Sequence, residues 1–497
     1  MSQKPASKEK IMDLYENMGL NFKQYVPLLC DNIAILENIE HNQTDKTYDQ
    51  DTLYLYRMLL KLQIFILIII LDLSAFLRAN FRSKSNVEKR CNLKHINIRT
   101  IEGYNYLFGF GKDKNNAIFS IIKNLAEQLN EEELIKDVNT IEQKAKEYEN
   151  TFSTRKDRDH RNLSVHYDSD PIKVYSLLSQ IHEETESKKA MAFLALLNDL
   201  NIFTYNYLKK YHIFQIRSNI NYDIDFFEKI NQFPDQNDKL FNMMEEKIIH
   251  FADQLDSNVR QCNGIQTFSE KLGLDNSEIE GIESLNESIF PSIHIIFIYL
   301  DLACALRAYL SSSFYFEKQL NLRRLNIVVY EGFKHLYGYT DKEQGKCFWQ
   351  SNIKPILAQS TNPIHKESLF KFEQKLKDLA INIEKNKHLR ECSVHYRYKK
   401  RDNIVTLFHA LVKSSPIMEM KNSIKILNLL PQLIEINTDS VDFKYIMEME
   451  KIKSHHIKTK NEFDEISSFF KNLNIDPEKK EEMLNNINKI KNLLELL

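Results

Sequence analysis

Glycine and proline are scarce in this chain, ten of each in 497 residues, well below average usage. So little turn punctuation excludes architectures built from many short strands. What remains is an all-α chain dominated by Asn, Ile, Lys, Leu and Glu. A strong charge of either sign is missing too: the formal net charge is −2, so a nucleic-acid footprint has to be local. The six cysteines (Cys30, Cys91, Cys262, Cys304, Cys347 and Cys392) form no CxxC pair and no metal-ligand spacing. They read as reduced, semi-buried residues of a cytoplasmic protein. Apolar runs are short. Ile64–Leu71 is eight residues long, and Ile293–Leu300 is interrupted by His294. Neither run alone spans a bilayer, and both read as buried helices of a soluble protein without membrane association. The polar, charged first residues argue against a signal peptide. No Walker loop, dinucleotide fingerprint, serine elbow or zinc spacing occurs, so neither a cofactor nor a metal is expected.

What the chain does contain is a second copy of part of itself. The block DLSAFLRANFRSKSNVEKRCNLKHINIRTIEGYNYLFGF pairs without a gap with DLACALRAYLSSSFYFEKQLNLRRLNIVVYEGFKHLYGY, 229 positions later. That offset links Asp72 to Asp301, Arg78 to Arg307, Glu88 to Glu317, Asn92 to Asn321, Glu102 to Glu331 and Gly109 to Gly338. The matched core runs from about Ile64 to Leu200 and from about Ile293 to Leu433. A looser stretch matches Glu142-Gln143-Lys144 to Glu373-Gln374-Lys375 at an offset of 231 before 229 returns. Length changes between helices and constancy within them are what a helical bundle tolerates. Gly109 and Gly338 stand where a long helix should stop. The expected organisation is a first helical repeat at 1–228, a second at 229–440 and a tail at 441–497, with Asn231–Asp238 as the linker. The tail carries a helix start at Asp476-Pro477-Glu478 and a stripe of Leu484, Ile487, Ile490 and Leu494. It reads as a helical hairpin that docks on the body or on another subunit, or as a solvated extension.

Both copies keep an Arg and a His with four residues between them. Arg161-Asn162-Leu163-Ser164-Val165-His166-Tyr167 returns as Arg390-Glu391-Cys392-Ser393-Val394-His395-Tyr396. The spacing alone is weak, since Arg90 with His95 and Arg155 with His160 have it as well. The duplication filters those out: their counterparts are Gln319 with Arg324, and Glu384 with Leu389. At a helix start, Asn162 sits one turn from His166, and Glu391 one turn from His395. The Arg stem can curl back to share a phosphate with the imidazole. Arg offers a fixed fork of donors, and His moves a proton near neutral pH. Cationic flanks stand beside both motifs: Arg155, Lys156 and Arg158 before the first, and Arg397, Lys399, Lys400 and Arg401 after the second. They fit an RNA backbone, or a solvated face.

Arg161-Asn162-x3-His166 resembles the R-[polar]-x3-H signature of HEPN-domain ribonucleases, which are all-α bundles of toxin–antitoxin, abortive-infection and CRISPR-associated systems. The resemblance implies metal-independent endoribonuclease cleavage, in which a 2′-hydroxyl attacks the adjacent phosphate and leaves 2′,3′-cyclic phosphate and 5′-hydroxyl ends. It also implies a composite site from paired domains, with His166 and His395 transferring protons and Arg161 and Arg390 holding the phosphate. RNA would be the substrate, an antitoxin or activator a partner, and higher assembly through the tail is open. Copy two departs from the signature, with Glu391 where Asn162 stands. A carboxylate there favours imidazolium but repels phosphate. The second half is therefore the general-acid side of a divided site, or a degraded half-site. The other shared polar residues read as a buried hydrogen-bond network, or, for Glu102 and Glu331, as groups that orient the motif's arginines. Two non-enzymatic readings stay beside the ribonuclease: a helical module that binds RNA, nucleotide or protein, and a purely structural oligomer.

Overall fold

The computed structural model describes residues 8–41, 49–109, 115, 117–152, 170–213, 237–272, 276–340, 347–359, 363–384, 422–435 and 481. Every regular element among them is helical, as the shortage of turn residues requires. The first half contains α1 (Lys8–His41), α2 (Gln50–Arg82), α3 (Asn86–Phe108), α4 (Ile118–Gln128), α5 (Glu132–Phe152), α6 (Pro171–Ser179) and α7 (Glu183–Lys210). The second contains α8 (Asn237–Leu272), α9 (Asn276–Leu310), α10 (Tyr315–Leu336), a π-helical turn at Trp349–Ile353, α11 (Lys354–Gln359), α12 (Pro363–Glu384) and α13 at 422–435. α8 opens 229 positions after α1, and α10 opens 229 positions after α3. The repeated order of helices thus extends to α1 and α8, upstream of the block that identical residues reveal. Of the expected linker, Asn237 and Asp238 already belong to α8, and 231–236 lie outside the described residues. So does the tail, apart from residue 481, which is helical.

The helices start and stop for local reasons. Ser85 caps α3 by accepting the Glu88 N–H at 3.1 Å, while the Glu88 carboxylate reaches back to the Lys84 N–H at 3.1 Å. In the second half Phe314 replaces Ser85, and only the carboxylate arm survives: Glu317 accepts the Ser313 N–H at 2.9 Å. Gly109 and Gly338 end α3 and α10 with φ of 72° and 77°, a left-handed backbone that glycine adopts at little cost. Both helix stops fall where expected.

Two apolar clusters form the interior. The first gathers α1 to α5 and α7, and the second gathers α8 to α10, the π turn, α12 and α13, together with Val174 of α6. Each borrows from the other half at matching positions: Leu320 of α10 enters the first cluster, and Cys91 of α3 enters the second. α2 and α9 are the central helices. By length and composition each could cross a membrane, but 94% of each apolar window is buried inside the fold. This is the environment of a core helix. α3 lies close on α2 because residue 103 is glycine: a Cβ there would sit 3.1 Å from Ile69 Cγ2. A Cβ on Gly332 would sit 2.7 Å from Ile298 Cγ2, the equivalent methyl.

The shift of offset from 229 to 231 has a structural address. Lys123 pairs with Glu142 at 2.9 Å between α4 and α5, and Lys354 pairs with Glu373 at 2.9 Å at the counterpart place, 231 positions on. Phe119 and Phe348 still correspond at 229. The two extra residues therefore fall in Trp349–Ile353, where a π turn takes up more chain per turn than an α turn does.

Candidate functional site

The side chains that the repeat preserves meet where the halves cross. Arg78 on α2 donates through Nε to Glu317 Oε1 at 3.1 Å, and Arg307 on α9 donates through Nη1 to Glu88 Oε2 at 3.1 Å. Arg323 Nη1 meets Asp72 Oδ2 at 2.6 Å, while Lys94 bonds Asp301. In both sets one pair becomes the other when all positions shift by 229 and the halves exchange. This is the pattern of an isologous, twofold contact, in which i meets j of the partner and j meets i. All eight side chains are at most 5% exposed. Glu88 and Glu317 thus each cap a helix in their own half and bind an arginine of the opposite half, Glu317 through separate oxygens and Glu88 through Oε2 for both.

Around these pairs the halves differ. Glu317 collects a second cation, with Arg82 Nη1 at 3.1 Å. Arg307 is shared with a second carboxylate, Glu245, at 3.2 Å. Asn92 donates to Ser83 Oγ at 2.7 Å, and Asn321 to Ser312 Oγ at 2.8 Å, so this bond is kept in both copies. Where the first half has His95, the second has Arg324. Arg324 is fully buried, donates to the Asn92 side chain and to the Cys91 carbonyl, and has no acid at ion-pair distance among the described residues. Burial holds its pKa below the usual guanidinium range. Burial, followed by the nearby Arg324, Lys94 and Arg99 charges, also keeps His95 well below the usual histidine range. Asp301 lies 3.9 Å from His95 Nε2, but Lys94 already engages that carboxylate. His95 is a core histidine whose protonation burial opposes. Glu88 is pushed up by burial, with Arg307 the largest opposing influence.

Arg161, Asn162, His166, Arg390, Glu391 and His395 lie outside the described residues, as do Arg155, Arg158, Arg397, Lys399, Lys400 and Arg401. What is described is their attachment. α5 ends at Phe152, nine residues before Arg161, and α12 ends at Glu384, six residues before Arg390. Of the supporting residues, Glu102 and Glu331 are buried on α3 and α10, each followed by the glycine that lets its helix approach α2 or α9. Lys94 and Arg323 escaped notice because a repeat read by identity overlooks a Lys aligned with an Arg, and His95 and Arg324 were set aside as a spacing that only one copy keeps. Among the described residues, no three His, Cys, Asp or Glu side chains are grouped so as to hold a metal ion. The five described cysteines are buried and form no disulfide.

Comparison of the chain with protein-family models, with curated proteins and with solved structures finds no match.

Proposed function

We propose that this chain is a metal-independent endoribonuclease of the HEPN type whose site is assembled from both halves. The observation that carries the reading is the Arg-x4-His motif kept twice in one chain, at Arg161/His166 and Arg390/His395, while two decoys of the same spacing were lost. The crossing of the halves supports it. Reciprocal buried ion pairs fix two copies of one surface in a twofold relation, as a composite site from two equivalent motifs needs. In this reading Arg161 and Arg390 neutralise the scissile phosphate. One histidine takes the proton from the attacking 2′-oxygen. The other protonates the departing 5′-oxygen as the P–O5′ bond breaks. Asn162 orients the first motif. Glu391 favours the imidazolium of His395, which makes that histidine the general acid and His166 the general base. The biological setting that fits is a toxin or antiphage effector acting on RNA in the cytoplasm, held in check by an antitoxin or switched on by a partner.

The test is incubation of purified full-length protein with total RNA in EDTA, wild type against His166→Ala/His395→Ala. Cleavage that resists EDTA, yields 2′,3′-cyclic phosphate ends and vanishes in the double variant is expected. An inert wild type, with candidate activators supplied, transfers the weight to a non-catalytic module that binds RNA, nucleotide or protein. Glu391→Gln should slow cleavage in a divided site, whereas unchanged or faster cleavage identifies a degraded half.

A further inference from the structure

The crossing helices preserve the repeat, but one surface groove does not. In the first half, α5 and α7 are bridged by Lys144 and Asp199 at 2.6 Å. The corresponding helices of the second half are α12 and α13. Their alignment is fixed by burial: Leu196, Leu197 and Leu200 fall into phase with Ile426, Leu427 and Leu430. In that phase Lys375 keeps the place of Lys144, but Leu429 stands where Asp199 was, and Lys425 replaces Ala195. The local charge of Lys144, Glu147 and Asp199 is −1, and that of Lys375, Asp378 and Lys425 is +1. Neither Lys375 nor Lys425 has a carboxylate at ion-pair distance among the described residues. Asp378 is occupied by Gln374, whose Nε2 donates to it at 3.1 Å. The place of the lost bridge is an open groove of about 340 Å³, walled by the two lysines, by Asp378, by the amides of Asn382, Asn428 and Gln432, and by Leu379 and Leu429.

We propose that this groove is a phosphate-binding subsite that seats an RNA strand. The claim rests on the ribonuclease reading for its ligand. The volume is at the small end of ligand pockets, a size for one nucleotide rather than a folded partner. Two ammonium groups suit a phosphodiester, and amides suit the polar edge of a base. In the chain, Asn382 stands eight residues before Arg390.

The experiment measures anisotropy of a short fluorescein-labelled 2′-O-methyl oligoribonucleotide, which lacks the attacking hydroxyl, over a salt series. In the full chain, Lys375→Gln/Lys425→Gln should weaken binding several-fold. It should also flatten the dependence of log K on log salt by about 0.7, the share of one single-strand phosphate contact. Lys144→Gln, at the bridged counterpart, should leave both unchanged. Equal affinity and slope in the double variant overturns the proposal, as does an equal loss in Lys144→Gln. Binding of inorganic phosphate that the double variant abolishes, with oligonucleotide binding intact, overturns the RNA assignment. Cleavage assayed in parallel separates the claims. Lost binding in a protein that never cleaves retains the groove without the ribonuclease, and unaltered binding in an active enzyme does the reverse.

Discussion

Two places where the halves can be compared have gone opposite ways. At the crossing, Arg78–Glu317 and Arg307–Glu88 are one pair seen from two sides, each at 3.1 Å and each almost wholly buried. Between the outer helices, Lys144–Asp199 closes a gap in the first half that Lys375 and Lys425 leave open in the second. The difference follows from dielectric. A charge buried without its partner costs several kcal/mol, so a substitution at the crossing strands the residue across the dyad. An exposed pair is worth about 0.2–1 kcal/mol, and the outer surface drifts at almost no cost. Constancy at the centre is therefore explained by folding alone, whereas the change of sign at the groove is free to serve a ligand.

The comparison breaks most severely if one buried acid is removed. Glu317→Ala leaves Arg78 and Arg82 without their carboxylate and should cost about 3–5 kcal/mol, read as a lower midpoint in urea unfolding. Glu88→Ala should cost less, because Arg307 retains Glu245 at 3.2 Å. Equal losses would dissolve the asymmetry described here. Next come the glycines. Alanine gains up to about 1 kcal/mol of helix propensity over glycine, against the cost of overpacking, typically about 1–3 kcal/mol. At Gly103 the new methyl would stand 3.1 Å from Ile69 and the two effects nearly cancel; at Gly332 it would stand 2.7 Å from Ile298, and Gly332→Ala should be the clear loser in melting temperature.

His95 supplies a pH-dependent difference between the halves, since its counterpart Arg324 does not titrate. Burial holds its pKa in the fold well below the ordinary histidine value of about 6.5, so the unfolded chain binds the proton more tightly. Stability from the neutral imidazole is complete above pH 6.5 and is lost as the pH falls toward the folded value, by up to about 1.4 kcal/mol per unit. The groups facing it are Lys94 and Arg99 on its own helix, Arg324 on α10 and Asp301 on α9. Thermal melts from pH 7 to 5 should fall, and His95→Gln should flatten that dependence. The smallest effect belongs to the outer surface: Lys144→Gln should cost no more than about 1 kcal/mol, and Lys375→Gln nothing measurable in the same melts.

Much of this was readable in the chain. Scarcity of glycine and proline foretold helices, Gly109 and Gly338 marked two ends, and Glu88, Asn92, Glu317 and Asn321 were marked as a buried network. Spacing puts residues on a common helix face, but it does not choose the helix opposite. Nothing local indicates that Arg78 would reach Glu317 across 239 positions instead of an acid in its own half. The correspondence of α1 with α8 was hidden because both keep apolar faces with little identity. The Arg/His segments were legible only as a pattern, and their placement belongs to no described element.

The crossing also sets a timetable for synthesis. Arg78 leaves the ribosome 239 residues ahead of Glu317, an interval of roughly 12–50 s at about 5–20 residues per second. Throughout it the nascent first half holds Arg78 ahead of Glu317 and Asp72 ahead of Arg323, with Arg99 beside Asp72 in the same half. Leu320, which completes its apolar interior, is also still to be made. That half must wait in water, partly closed, for the rest of its own polypeptide, and the wait is where a chaperone or a slow codon would have most to offer.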